Sequence, residues 1–101
     1  MMNSTSNNII KNLTPRIFWD VNIATLDLIN NKDEIIERVY VYGTDNDEKL
    51  IWSIYSYNDI KNSVINSEIL NDTTITYLSK LFNIKEKRFK CYKKKLSHLN
   101  Y

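Results

Sequence analysis

The sequence of 101 residues contains only one glycine, one proline, one cysteine and one histidine. A single glycine excludes the glycine-rich loops that bring the backbone close to phosphates or dinucleotides, because those loops need several glycines. Cys91 has no second cysteine with which to form an internal disulfide, and His98 lies in the C-terminal tail. Two such ligands are too few to form a zinc site. Because the only histidine lies in the tail, no plausible scaffold holds a catalytic Cys-His pair or Ser-His-Asp triad. We therefore predict a protein that is not an enzyme and that needs no metal, cofactor or small-molecule substrate.

Long hydrophobic runs are also missing, since the longest apolar stretches cover only a few residues. A membrane-spanning helix needs about 20 apolar residues, so we expect no membrane segment. Residues 1–14 have neither the charged beginning nor the apolar centre of a signal peptide. Together with the single cysteine, these features predict a cytoplasmic domain.

Charge is distributed unevenly along the chain, although the net charge is only +2. Residues 1–42 carry −1, residues 43–84 carry −3, and residues 85–101 carry +6. The sequence therefore predicts an acidic body followed by a basic C-terminal tail.

The segment Asp33–Thr44 is the centre around which we expect the chain to be organised. Its apolar side chains fall on one face of a helix, at Ile35, Ile36, Val39 and Tyr42. Gly43 follows where a helix commonly ends with a left-handed glycine. Thr44, with Asp47 three residues later, has the pattern of a capping box that starts the next helix.

Similar apolar spacing within residues 50–55, 60–65 and 75–82 predicts three further helices. The second is predicted to begin at Tyr57 or Asn58, and the third to be capped by Asn71 or Asp72. The competing interpretation of residues 38–57 is a β-hairpin, because this region is rich in β-branched and aromatic residues. We favour helices, and predict an all-α, single-core domain of four to six short helices. The predicted organisation is a flexible N-terminus over residues 1–14, a helical domain over residues 15–92 and a basic tail over residues 93–101.

Two sets of side chains are candidates for contact with a partner. Tyr40 lies off the main apolar face and Tyr57 lies at a predicted helix start, and aromatic residues commonly anchor interfaces. The tail interleaves cations with aromatic rings, among them Phe89, and could contact nucleic acid or an acidic protein. Its candidate contact residues are Lys85, Lys87, Arg88, Lys90, Tyr92, Lys93, Lys94 and Lys95.

The segments on either side of residues 66–72 also have the length of a helix-turn-helix. The second segment, however, has Lys80 as its only base, whereas a helix that reads the DNA groove usually exposes several basic or amide side chains. A DNA-binding regulator that uses this helix pair, with the tail on phosphates, is the alternative functional interpretation.

Three stretches together resemble a family of small, uncharacterised bacterial proteins. They are FWDVNIATLDL, DEIIERVYVYGTDND and LNDTTITYLSKLFNIKEKRFKCYKK, which extend over about Ile17 to Lys94. Members of that family are often encoded beside nucleotidyltransferase-type toxins of the AbiEii kind. The resemblance implies an antitoxin-like or accessory protein partner, and it implies no catalytic residues. A scaffold protein of mobile-element or phage origin is a third hypothesis.

Overall fold

The computed structural model describes residues 9–92. Five α-helices occur there: α1, described over residues 9–12, then α2 (Lys32–Tyr42), α3 (Asp45–Ile54), α4 (Tyr57–Asn66) and α5 (Asp72–Phe82). Three 3₁₀ helices complete the fold, at Pro15–Phe18, Ile23–Thr25 and Glu86–Arg88, and residues 90–92 are again helical. No strand occurs within residues 9–92, so the all-α prediction is confirmed and the hairpin interpretation of residues 38–57 is wrong.

The helices begin where side chains satisfy their free backbone N–H groups. The predicted capping box of Thr44 and Asp47 starts α3. A second capping box, formed by Ser56 and Asp59, starts α4, whose first residue, Tyr57, is one of the two starts predicted from the sequence. The Asn71 side chain accepts a hydrogen bond from the Thr74 N–H group and caps α5. These caps fix short helices of 10 or 11 residues, a length at which isolated helices are marginal.

Gly43 does not have the left-handed conformation that the sequence predicts. Its backbone is extended, with φ −89° and ψ −178°, and its N–H group donates to the Val39 carbonyl oxygen at 2.8 Å. A Cβ atom at this position would lie 2.5 Å from that oxygen and 3.2 Å from the Asp47 side chain. Glycine is needed here chiefly because a Cβ atom would overlap the Val39 carbonyl oxygen in the last turn of α2. The left-handed residue is Asn83, with φ 55°, which ends α5.

Helix α2 lies at the centre of the core, as the sequence predicts. It packs against α3, α4 and the 3₁₀ helix Pro15–Phe18. Ile35 and Ile36 have no exposed surface, and Val39 is also buried. Tyr42, which the sequence predicts on the apolar face of this helix, is instead exposed. It is the last residue of α2, and spacing along one helix does not reveal how far the neighbouring element extends.

The core begins before Pro15. Ile10 and Leu13 are buried in the same cluster as α2, although they belong to the segment predicted to be a flexible terminus. The adjacent Thr14 donates from its backbone N and its Oγ1 to the Asp47 carboxylate, at 2.9 and 2.7 Å. Residues 9–14 are therefore held to α3 by both packing and charge-assisted hydrogen bonds.

Candidate binding surfaces

A cavity of about 330 Å³ lies where the end of α2, the first turn of α3 and the first half of α5 meet. We call it the acidic groove. Its polar lining includes Tyr40 from α2, Asp45 and Glu48 from α3, and Tyr77 from α5. Among the described residues that line it, two are acidic and none is basic. The groove therefore has a formal charge of −2.

Glu48 is held in the groove by two tyrosine hydroxyls. The Tyr40 hydroxyl donates to Glu48 Oε2 at 2.8 Å, and the Tyr77 hydroxyl donates to the same oxygen at 2.8 Å. Trp52 Nε1 donates in turn to the Tyr40 hydroxyl at 2.9 Å. This chain of hydrogen bonds connects α2, α3 and α5 and fixes the carboxylate in one orientation.

Tyr40, which the sequence predicts as a candidate contact for a partner, is half-buried and lines the groove. Tyr77 is the exposed aromatic residue of the groove, with 47% of its surface accessible. No sequence signal singled out Tyr77, Glu48 or Asp45. Tyr77 and Glu48 are 29 residues apart, so their contact cannot be read from the spacing within one helix.

The tyrosine hydroxyls remain hydrogen-bond donors at neutral pH. Burial, the hydrogen bond to Glu48 and the negative charges of Glu48 and Asp45 raise the pKa of Tyr77 to about 12. Burial is also the main cause of the raised pKa of Tyr40. The groove can therefore accept a cationic or hydrogen-bond-donating group at its carboxylates, but its phenols do not act as bases.

Tyr57, the other predicted anchor, belongs to a separate aromatic cluster. Its ring lies edge-on to Phe82, with centroids 5.1 Å apart, and 6.2 Å from the ring of Trp52. About half of Tyr57 is exposed, and Lys61 Nζ lies 5.9 Å from the ring centroid. Trp52 belongs to both this cluster and the hydrogen-bond chain of the acidic groove, so one side chain contacts residues of both surfaces.

The basic part of the chain that the structure describes is the segment Lys85–Lys90, here called the basic segment. Lys85, Lys87, Arg88 and Lys90 are all exposed. Phe89 has no exposed surface, which contradicts the prediction that its ring is free to stack on a partner. Phe89 instead anchors the segment to the core.

The residues that follow are only partly within the described chain. Tyr92 is partly buried against the core, and the Cys91 thiol donates to the Leu70 carbonyl oxygen at 2.8 Å. Lys93, Lys94 and Lys95, also predicted as contact residues, lie outside the described residues, as does His98.

Most other carboxylates of the described chain support the fold. Asp47 accepts four hydrogen bonds from the backbone and hydroxyl groups of Thr14 and Thr44. Asp20 and Glu34 both pair with Arg38. Within residues 9–92, no three His, Cys, Asp or Glu side chains are close enough together to hold a metal ion. Nor does any helix in this range have the length and apolar character to cross a membrane.

Comparison with known proteins identifies a family. Neither the curated proteins nor the solved structures contain a match to this chain. Residues 13–64, about half of the chain, match the family of unknown function DUF6922. The match covers α2, α3 and all but the last two residues of α4. It ends before α5, which completes the core through Ile75, Leu78 and Phe82. The chain therefore belongs to the DUF6922 family.

Proposed function

We propose that this chain is a non-enzymatic binding protein, an antitoxin-like partner of a nucleotidyltransferase-type toxin. The observation that carries the proposal is the acidic groove, in which Asp45 and Glu48 lie beside a half-exposed tyrosine and no basic side chain among the described lining residues neutralises them. The resemblance of the FWD, IIERV and FKCYK stretches to toxin-associated proteins supports the choice of partner.

The proposed partner has the complementary charge. A nucleotidyltransferase binds the triphosphate of a nucleotide and the backbone of a nucleic acid, and proteins bind such groups with cationic side chains. An acidic surface that occupies this site would neutralise the toxin by excluding its substrates. Such a mechanism requires complementary shape and charge but no bond making or breaking by the chain itself.

The rigidity of Glu48 also favours a binding role. Because Tyr40 and Tyr77 already hold the carboxylate, little side-chain entropy would be lost when a partner docks. Tyr77 provides exposed aromatic surface at the same place, and an aromatic residue beside charged groups is typical of the centre of a protein interface.

The test is co-purification of the chain with an AbiEii-type nucleotidyltransferase toxin, together with rescue of cells that express the toxin. The double variant Asp45→Asn/Glu48→Gln removes both charges and keeps the side-chain shapes. We expect it to bind at least about tenfold more weakly, because rim charges steer association and buried ones stabilise the complex.

The matched control is Glu34→Gln/Glu37→Gln, which removes two negative charges from α2 at positions that do not line the groove. Because Glu34 pairs with Arg38, thermal melting should first show that this control remains folded. It should then bind and rescue like the unmodified chain. Failure of the unmodified chain to co-purify or to rescue would refute the proposal. Equal weakening by both double variants would show that net charge matters rather than the groove.

A further inference from the structure

The structure contains a second charged surface of the opposite sign, and we propose that it is a separate site for the phosphate backbone of a nucleic acid. This site is the basic segment Lys85–Lys90. The inference goes beyond the proposed toxin contact and uses different residues.

The segment is held in a defined conformation. The Arg88 N–H group donates to the Lys85 carbonyl oxygen at 2.9 Å, and the Phe89 N–H group donates to the Glu86 carbonyl oxygen at 3.1 Å. The fully buried Phe89 ring fastens this turn to the core. Because the backbone is fixed, these exposed cations lie within one short, ordered stretch of the folded surface.

The positive charge of the segment is largely available to a ligand. Within residues 9–92, no carboxylate forms an ion pair with Lys85, Lys87 or Arg88. Lys90 lies 3.7 Å from Glu68, but both side chains are more than half exposed, and such surface pairs are weak. Glu86, the only acid of the segment, accepts a hydrogen bond from Thr76 of α5 at 3.4 Å.

The arrangement fits a nucleic acid better than an acidic protein. A 3₁₀ helix rises about 2 Å per residue, so the backbone from Lys85 to Arg88 extends over roughly 6 Å. Three cations over this distance are comparable in density to the phosphates of DNA, one per about 3.4 Å of each strand.

Protein interfaces, in contrast, obtain most of their affinity from aromatic or apolar anchors. The one aromatic residue of the segment, Phe89, is turned into the core. A phosphate backbone needs no such anchor, because the release of bound counterions supplies the affinity.

The experiment measures binding of the full chain to a short fluorescent duplex DNA and to a single-stranded RNA of the same sequence, with salt varied from about 50 to 200 mM. The variant Lys87→Gln/Arg88→Gln removes two proposed phosphate contacts. We expect the slope of log K against log salt to become shallower by about 1.8 on duplex or about 1.4 on single strands. At 0.1 M salt, binding should weaken by about tenfold or more. The comparison of the two nucleic acids shows which form is preferred.

The matched control is Lys11→Gln/Lys49→Gln, which removes two exposed cations elsewhere on the described surface. It should leave the slope unchanged, and thermal melting should show that both double variants remain folded. Equal slopes for the unmodified chain and Lys87→Gln/Arg88→Gln would overturn the inference. So would tighter binding to poly-glutamate than to either nucleic acid, which would indicate an acidic protein as the ligand.

The two proposals fail separately. Asp45→Asn/Glu48→Gln should reduce toxin binding and leave the salt slope on nucleic acid unchanged. Loss of toxin binding in that variant with an intact slope would therefore support both sites independently.

Discussion

Replacement of Gly43 by alanine tests the reason that this position is a glycine. The new Cβ atom would lie 2.5 Å from the Val39 carbonyl oxygen, which is backbone and cannot rotate away. Relieving such an overlap costs about 1–3 kcal/mol. Displacing Asp47, whose side chain would be 3.2 Å away, would add up to about 1 kcal/mol by weakening the α3 cap.

Alanine also reduces the conformational freedom of the unfolded chain, which stabilises the folded state by about 0.4–1 kcal/mol. The net expectation is a loss of about 1–3 kcal/mol in the free energy of unfolding. For a domain of this size, each kcal/mol lowers the melting temperature by about 4–8 °C. Urea unfolding followed by circular dichroism at 222 nm would measure the change.

The informative comparison is between alanine and asparagine at two positions. Asparagine tolerates the left-handed conformation better than alanine does. Because Gly43 is extended, Gly43→Asn should be as unstable as Gly43→Ala. At the left-handed Asn83, Asn83→Gly should be neutral or stabilising and Asn83→Ala should cost about 1–2 kcal/mol. Clearly greater stability of Gly43→Asn than of Gly43→Ala would refute the steric explanation and restore the left-handed one.

Two further predictions concern the core. Burial acts to raise the pKa of Asp47, but the hydrogen bonds from Thr14 and Thr44 together hold that pKa below its usual value. The contribution of Asp47 to stability is therefore present above about pH 4 and is lost as the pH falls through the folded-state pKa. Asp47→Asn should therefore lower the free energy of unfolding by about 2–4 kcal/mol at pH 7. It should also make that free energy depend less on pH below about pH 5. An unchanged pH profile in urea unfolding would contradict this prediction. Phe89→Ala should lower the free energy of unfolding by about 3–5 kcal/mol, and Phe89→Leu should lower it by less than about 2 kcal/mol. A loss below about 1 kcal/mol for the alanine variant would show that Phe89 does not anchor the basic segment.

Local patterns in the sequence predicted the helices well. The apolar face of Asp33–Thr44 and the Thr44–Asp47 capping box depend on residues three or four apart, and both occur in the structure. The same reasoning predicted the conformation of Gly43 wrongly. The residue is a glycine because a Cβ atom would meet Val39 and Asp47, and the frequency of left-handed glycines at helix ends carries no information about such a contact.

The candidate sites divide in the same way. The basic segment is visible in the sequence because its cations are consecutive or nearly so. The acidic groove is not visible, because Glu48 and Tyr77 become neighbours only when α3 packs beside α5. Likewise, the sequence alone did not separate Phe89, which is buried, from the exposed cations on either side of it.

The sequence by itself determined the all-α class, the central helix and the separation of acidic body from basic end, because each follows from residue type and short spacing. Only the tertiary structure decided which tyrosines line a groove, why residue 43 is a glycine, and that the core includes Ile10, Leu13 and Phe89. Those features depend on contacts between residues far apart in the chain, and such contacts exist only after the helices have packed.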